Sequence, residues 1–109
     1  LAWNASFNTV AVASGGNDSR RMLDDPECRL LVQRLMSEVY RLGEAVTGAT
    51  LPVMRGIDGP EALIADTDRP GVVVVPSMLM DFLAKRPLEH AVILGNPIAI
   101  ARELGVDVP

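Results

Sequence analysis

The sequence predicts a single all-α domain, and three observations support this prediction. A chain of 109 residues fits one domain and is too short for two. Apolar residues make up 49% of the chain and recur at helical spacing in several stretches. The run from Val72 to Val75 is the segment most typical of a β-strand, and one short strand has no partner with which to form a sheet. We therefore expect four or five helices around an aliphatic core.

The first predicted helix covers residues 1 to 13. Trp3, Phe7 and Val10 fall on one helical stripe, and Asn4 and Asn8 fall on an adjoining one. Small polar residues and two glycines then predict a loop over residues 14 to 19.

The longest predicted helix begins at Asp25. Asp25 is a typical N-cap, Pro26 suits the first helical position, and Glu27 complements the helix dipole. Apolar residues then recur at alternating spacings of four and three, which predicts an amphipathic helix of about five turns. They are Cys28, Val32, Leu35, Val39, Leu42 and Val46. Gly48 predicts a left-handed cap that ends this helix.

The second half of the chain predicts shorter helices. Prolines and glycines punctuate residues 49 to 75, which leaves room for one short helix near residues 60 to 65 and for an extended or helical segment at residues 72 to 75. We expect a helix from Pro76 to Lys85 and a last helix from about Pro87 to Leu104, capped by Gly105. Pro97 lies inside the last helix and predicts a kink or a break.

Composition and missing motifs exclude several functions. A net charge of −4 makes nucleic-acid and membrane-surface binding improbable, and no apolar stretch approaches the roughly 20 residues of a membrane span. The single histidine, His90, excludes a histidine-based metal cluster or a catalytic triad, so we expect no metal site. Cys28 is the only cysteine, which fits the cytoplasm. Because the chain opens on Leu1 with a helical pattern already running, we expect a fragment of a longer protein.

Four polar residues are candidates for a functional site. Asn4 and Asn8, at i and i+4, predict a polar strip lining a cleft, although a solvated strip or an interhelical hydrogen-bond pair is the interpretation that the residues alone favour. Ser77 stands at a predicted helix start and by itself is a typical cap. Glu89, in the first turn of the last helix, is by itself a typical dipole partner.

The whole pattern resembles the C-terminal domain of the ketopantoate reductase (2-dehydropantoate 2-reductase) family. Leu1 to Asn8 is similar to that family's Lys-Leu-x-x-Asn-x-x-x-Asn segment, one residue short at its start, and residues 35 to 39 are similar to its long second helix. Residues 76 to 81 followed by residues 86 to 89 match its Ser-Met-x-x-Asp…Arg-Pro-x-Glu signature. Residues 101 to 109 are a typical ending. The resemblance implies a helical bundle-like domain of the 6-phosphogluconate dehydrogenase-like reductases, spanning residues 1 to 109, with the NADPH-binding Rossmann domain absent.

The resemblance also implies a role for each candidate residue. Asn4 and Asn8 would hydrogen-bond a 2-keto acid substrate, Ser77 would bind its carboxylate with help from backbone N–H groups at the helix start, and Glu89 would contact the ribose of NADP on the nicotinamide side. The family's catalytic lysine would directly precede Leu1. A further substrate-binding asparagine of the family falls near Asn17, in a loop that differs by about one position.

Three further expectations follow from the resemblance. The partners would be the keto acid, the N-terminal Rossmann domain of the same protein and a second copy in a homodimer. Asn4 and Asn8 should share a helix face that looks across an open cleft to the start of the Ser77 helix, with Glu89 at the rim and no strong salt bridge at any of the four. Two alternatives stay open: a related reductase for another keto acid, and a non-catalytic all-α interaction module.

Overall fold

The computed structural model describes residues 1–53 and 55–109, and these form six helical elements. The first element, α1, is a π-helical turn over Asn4–Asn8 continued by the α-helix Thr9–Ala13. Four α-helices follow: α2 (Ser19–Asp24), α3 (Pro26–Thr47), α4 (Pro60–Thr67) and α5 (Ser77–Leu83). The last element, α6, again begins with a π-helical turn, Ala91–Gly95, and continues as the α-helix Asn96–Leu104. Helical structure without a β-strand in the described residues confirms the predicted all-α class.

Helix α1 lies at the centre of the domain. It packs against α2, α3 and α5, and its π-helical turn also contacts the π-helical turn of α6. The buried core is aliphatic except for one ring and is drawn from five of the six elements. It consists of Phe7, Val10, Ala11, Met22, Leu23, Val32, Met36, Ile64 and Leu79. Asn4 and Asn8 therefore stand on a helix that contributes three residues to the core.

Helix α3 begins and ends where the sequence predicts. The Asp25 carboxylate accepts hydrogen bonds from the backbone N–H groups of Glu27 and Cys28, each at 2.9 Å. Gly48 ends the helix with a left-handed φ of 68°. Val32 and Leu42 of the predicted stripe are buried, but Val46 is 57% exposed because the helix extends beyond the core.

The valine run is extended, and a hydroxyl side chain holds it instead of a neighbouring strand. The backbone N–H of Ser19 donates to the carbonyl of Val74 at 2.9 Å, and the N–H of Val74 donates to Ser19 Oγ at 2.8 Å. Ser19 itself is fully buried. The start of α2 thus satisfies backbone groups that a second strand would otherwise satisfy.

Pro97 changes the geometry of α6 without breaking it. The N–H of Asn96 donates to the carbonyl of Ala91, which is the five-residue spacing of a π-helix. A proline ring clashes with the carbonyl four residues earlier in an ordinary α-helix, and a wider turn relieves this clash. Gly105 ends α6 in the left-handed conformation at a φ of 67°, as predicted. Across residues 1–53 and 55–109, no helix combines the length and the apolar character needed to cross a membrane.

Candidate functional site

The two asparagines that the sequence places together differ in burial. Asn4 is exposed, whereas Asn8 is completely buried. Residues four apart share a face in an α-helix and lie nearly in line in a π-helical turn as well, so the difference in burial comes from the packing of α5 over Asn8. The expectation that both amides face an open cleft is therefore wrong for Asn8.

Asn8 instead connects α1 to the start of α5. Its Oδ1 accepts a hydrogen bond from the backbone N–H of Met78 at 2.9 Å, in a buried position. Its Nδ2 group is also buried and has no hydrogen-bond partner within the described residues. The expectation that this face of α1 looks towards the start of the Ser77 helix is confirmed at Asn8.

The start of α5 leaves Ser77 in solvent and has three of its backbone N–H groups already bonded. Pro76 is the N-cap residue and is buried, while Ser77 is exposed. The N–H of Met78 is bonded to Asn8, and the N–H groups of Leu79 and Met80 both donate to the carbonyl of Pro76. Backbone assistance in binding a carboxylate at this helix start stays a prediction, in which the N–H of Ser77 would be the donor. The Ser77 hydroxyl remains as the exposed polar group.

Glu89 lies just before α6, at an exposed position. Its backbone carbonyl accepts a hydrogen bond from the N–H of Ile93 at 3.0 Å, which fixes it to the first turn of that element. That turn packs against the π-helical turn of α1. The starts of α5 and α6 thus both adjoin the helix that carries Asn4 and Asn8.

Glu89, the one charged residue of the four candidates, takes part in none of the salt bridges of the described residues. Asn17 differs from them because its amide already has a partner in the loop. Asn17 Nδ2 donates to Ser14 Oγ at 3.0 Å, and its backbone N–H donates to the carbonyl of Ala11 at 3.3 Å. A role of Asn17 in substrate binding stays a prediction.

The N-terminal end of α1 is anchored by an aromatic pair. The rings of Trp3 and Phe7 stack with centroids 4.7 Å apart. Trp3 Nε1 donates to Thr67 Oγ1 at 3.0 Å, which ties α1 to the end of α4. Thr67 is buried, whereas Trp3 is partly exposed. The hydrogen bond to Thr67 therefore holds the π-helical turn that carries Asn4 against α4.

An ion cluster stabilises the end of α4. Asp68 is bonded by the guanidinium groups of Arg20, on α2, and Arg29, on α3, the latter at 2.8 Å. The hydrogen bond from Arg20, followed by that from Arg29, lowers the pKa of Asp68, and the same bond to Asp68 raises the pKa of Arg20. Because both arginine positions are partly exposed, we assign this cluster a structural role.

Two apolar grooves lie beside the candidate residues but do not include them. The larger, of about 640 Å³, runs between α3, α6 and the start of α1, and the smaller, of about 230 Å³, adjoins Thr9 and the last residues of the chain. Neither is lined by Asn4, Asn8, Ser77 or Glu89. Within the part of the chain that the structure describes, no group of three or more His, Cys, Asp or Glu side chains could hold a metal ion.

Sequence reasoning offered an interhelical hydrogen bond for the asparagines but did not identify the start of α5 as the partner of Asn8. The partner of Asn8 is a backbone N–H that lies 70 residues away. Spacing along one helix carries no information about a contact of this range. The only available signal was a residue of mediocre helix propensity placed among large apolar side chains.

Comparisons with known proteins agree with this architecture. The family model described as "Ketopantoate reductase PanE/ApbA C terminal" matches residues 1–109. The 2-dehydropantoate 2-reductase of Nostoc sp. (strain PCC 7120 / SAG 25.82 / UTEX 2576) is 32% identical over 112 residues, covering 100% of this chain and 32% of that protein. The meiotically up-regulated gene 72 protein of Schizosaccharomyces pombe is 66% identical over 29 residues, which are 27% of this chain and 5% of that protein.

A solved structure has the same fold. The crystal structure of 2-dehydropantoate 2-reductase from Methylococcus capsulatus superposes with a TM-score of 0.83 at 36% identity, covering 99% of this chain and 32% of that one. The chain thus spans about a third of the length of the relatives it matches. Because the family model covers every residue of this chain, the chain belongs to the ketopantoate reductase C-terminal domain family.

Proposed function

We propose that this chain is the substrate-binding domain of a longer, NADPH-dependent 2-keto acid reductase that reduces ketopantoate to pantoate in pantothenate biosynthesis. Two relatives named 2-dehydropantoate 2-reductase support the proposal, each matched over about a third of its length. The remaining part of the parent protein would hold the nucleotide-binding domain. The lone Cys28 supports a place in the reducing cytoplasm.

The observation that carries the proposal is the buried hydrogen bond between Asn8 Oδ1 and the N–H of Met78. It holds the start of α5, with the exposed Ser77, against the helix that carries the exposed Asn4. Two neutral hydrogen-bonding side chains from different helices are thereby kept on adjoining elements. Such groups orient a keto acid without adding charge to the site.

Each exposed residue has a chemical role in this proposal. NADPH, when bound, supplies the hydride. Addition to the carbonyl creates negative charge on its oxygen, which the ammonium of a lysine directly before Leu1 would stabilise and protonate. The Asn4 amide would bond the substrate carbonyl or hydroxyl, and the Ser77 hydroxyl would donate to the carboxylate.

The residues present fit one part of NADPH. Glu89 is exposed and has no ion-pair partner among the described residues, so its carboxylate can accept hydrogen bonds from ribose hydroxyls. The sequence contains no glycine-rich phosphate loop, and the phosphates would be bound by the remaining part of the parent protein. A direct contact between Asn8 and the substrate stays a prediction, and it requires the buried Nδ2 group to become reachable.

The test is a steady-state assay of the full-length protein with NADPH and a panel of 2-keto acids. We expect the highest kcat/KM with ketopantoate. Preference for another keto acid would assign the protein to a related reductase with the same fold. The absence of NADPH oxidation with every keto acid of the panel would refute the proposal.

Two variants separate the roles of the exposed residues. Ser77→Ala removes a hydrogen bond to a charged group, worth about 1.5–3 kcal/mol, and should raise the keto acid KM roughly ten- to a hundredfold while leaving the NADPH KM unchanged. Glu89→Ala should raise the NADPH KM more than the keto acid KM. Ser37→Ala on α3 and Glu103→Ala on the exposed side of α6 are the matched controls.

A further inference from the structure

We propose that Asp81 and Arg86 are positioning residues: their ion pair ties the end of α5 to the segment before α6 and so fixes Glu89 relative to Ser77. This inference rests on the proposed function, in which Ser77 binds the keto acid and Glu89 binds the ribose of NADPH. Asp81 and Arg86 belong to the same sequence signature as those two residues, but the proposed function gives them no role. Neither side chain touches the substrate or the cofactor in this inference.

Two hydrogen bonds join Asp81 to Arg86 across the turn that follows α5. Arg86 Nε donates to Asp81 Oδ1 at 2.8 Å, and the backbone N–H of Arg86 donates to the carbonyl of Asp81, also at 2.8 Å. One bond is a contact between charged side chains, and the other belongs to the backbone. Arg86 can therefore move away from α5 only if both bonds break.

The turn that this pair closes has a conformation that lysine adopts reluctantly. Lys85 lies just after the end of α5 and has a left-handed φ of 55°. Helices commonly end in this way on a glycine, because a Cβ atom disfavours the left-handed region. The conformation of Lys85 thus depends on its neighbours, and the Asp81–Arg86 pair on either side of the turn holds it.

The residues after the turn pass the position of Arg86 on to Glu89. Pro87 has a fixed φ of its own and restricts Arg86 to extended conformations. Glu89 follows two residues later, and its carbonyl accepts a hydrogen bond from the N–H of Ile93 in the first turn of α6. Holding Arg86 against α5 therefore limits where the Glu89 carboxylate can lie.

The other end of α5 is anchored independently of the pair. Met78 and Leu79, which directly follow Ser77, are buried. Phe82 and Leu83, at the end of α5, are exposed. Loss of the Asp81–Arg86 pair should therefore release Glu89 and leave Ser77 in place.

The exposure of the pair sets the size of the expected effect. The side chains of Asp81 and Arg86 are 29% and 57% exposed, and a pair of this kind is worth at most about a fivefold change in an equilibrium constant. Its loss should leave the fold intact but lower the fraction of molecules in which Glu89 is correctly placed. The NADPH Kd then rises by the inverse of that fraction.

The experiment measures the NADPH Kd of the full-length protein by calorimetry. The variants are Asp81→Ala, Arg86→Ala, the double variant of both, and Asp81→Ala combined with Glu89→Ala. Asp66→Ala is the matched control, because it removes an exposed ion pair with Arg69 at the end of α4.

We expect each single variant to raise the NADPH Kd about two- to fivefold. The double variant should raise it by the same factor, because either change alone already breaks the pair. In the Glu89→Ala background, Asp81→Ala should have no further effect. The keto acid KM should change by less than about twofold in the single variants, and Asp66→Ala should match the wild type.

Three results would overturn the inference. The first is an unchanged NADPH Kd in both single variants, and the second is an effect that multiplies in the double variant. The third is an effect of Asp81→Ala that persists in the Glu89→Ala background, since the pair would then act through another group. Arg86→Ala answers the same question if Asp81→Ala does not fold. If the wild type binds no NADPH, the proposed function fails, which is a separate and recognisable outcome.

Hydrogen exchange provides a readout that needs no cofactor. The N–H groups of Lys85 and Arg86 both donate to carbonyls of α5. The peptide over residues 84 to 90 should therefore exchange about two- to fivefold faster in Asp81→Ala and Arg86→Ala than in the wild type. Asp66→Ala should leave this peptide unchanged. Equal exchange in the wild type and both single variants would contradict the inference, whatever the calorimetry shows.

Discussion

The hydrogen bond between Trp3 and Thr67 provides a quantitative test of how α1 is held in place. Thr67→Val keeps the shape of the side chain but removes the acceptor of Trp3 Nε1, which lies 3.0 Å from Thr67 Oγ1. It also removes the bond from Thr67 Oγ1 to the carbonyl of Leu63, at 3.1 Å. Thr67 is only 5% exposed, so little water reaches the position of its hydroxyl.

The expected cost follows from these contacts. A buried donor left without its partner destabilises a protein by about 1–3 kcal/mol. Trp3 is only half-buried, so its N–H regains part of this from solvent, and we expect a loss of about 1–2 kcal/mol. For a domain of this size, each kcal/mol lowers the Tm by roughly 4–8 °C.

Thermal unfolding followed by tryptophan fluorescence is a suitable assay, because Trp3 is the only tryptophan. Thr47→Val is the matched control: Thr47 is exposed near the end of α3, and its hydroxyl bonds the carbonyl of Gly43 at 2.9 Å. This control should change the free energy of unfolding by no more than about 0.5 kcal/mol. Equal Tm values for Thr67→Val and Thr47→Val would refute the conclusion that the Trp3–Thr67 bond anchors α1.

Three further outcomes are expected. Asp25→Ala removes the cap of α3 and should cost about 1 kcal/mol, measured by urea unfolding; no change would mean that the two bonds to its carboxylate are dispensable. The hydrogen bonds from Arg20 and then Arg29 lower the pKa of Asp68, so its ionised form stabilises the fold above the unfolded pKa of about 3.9, and this stability is lost as the pH falls below that value. Asp68→Asn should therefore lose less stability than the wild type on acidification below about pH 4. Parallel acid-unfolding curves for the two proteins would contradict this. The 109-residue chain alone should show no reductase activity and negligible affinity for NADPH, and micromolar binding by calorimetry would disprove that expectation.

Local signals in the sequence were sufficient for some helix boundaries, although α2 was not predicted and α6 begins at Ala91 rather than near Pro87. Asp25 and Pro26 start α3, and Gly48 and Gly105 end α3 and α6, as predicted. These residues act on backbone groups within one turn of themselves, so their effect is readable from neighbours in the chain. The short helix predicted near residues 60 to 65 was found over Pro60–Thr67 for the same reason.

The tertiary structure decided the candidate site. The i, i+4 spacing of Asn4 and Asn8 predicts one polar face in solvent, yet the packing of α5 buries Asn8 and leaves Asn4 exposed. The valine run is likewise extended because Ser19 binds its backbone, 55 residues away in sequence. A capping signal is read within a single turn, whereas burial and long-range hydrogen bonds depend on which elements meet, and that is set only when the core packs.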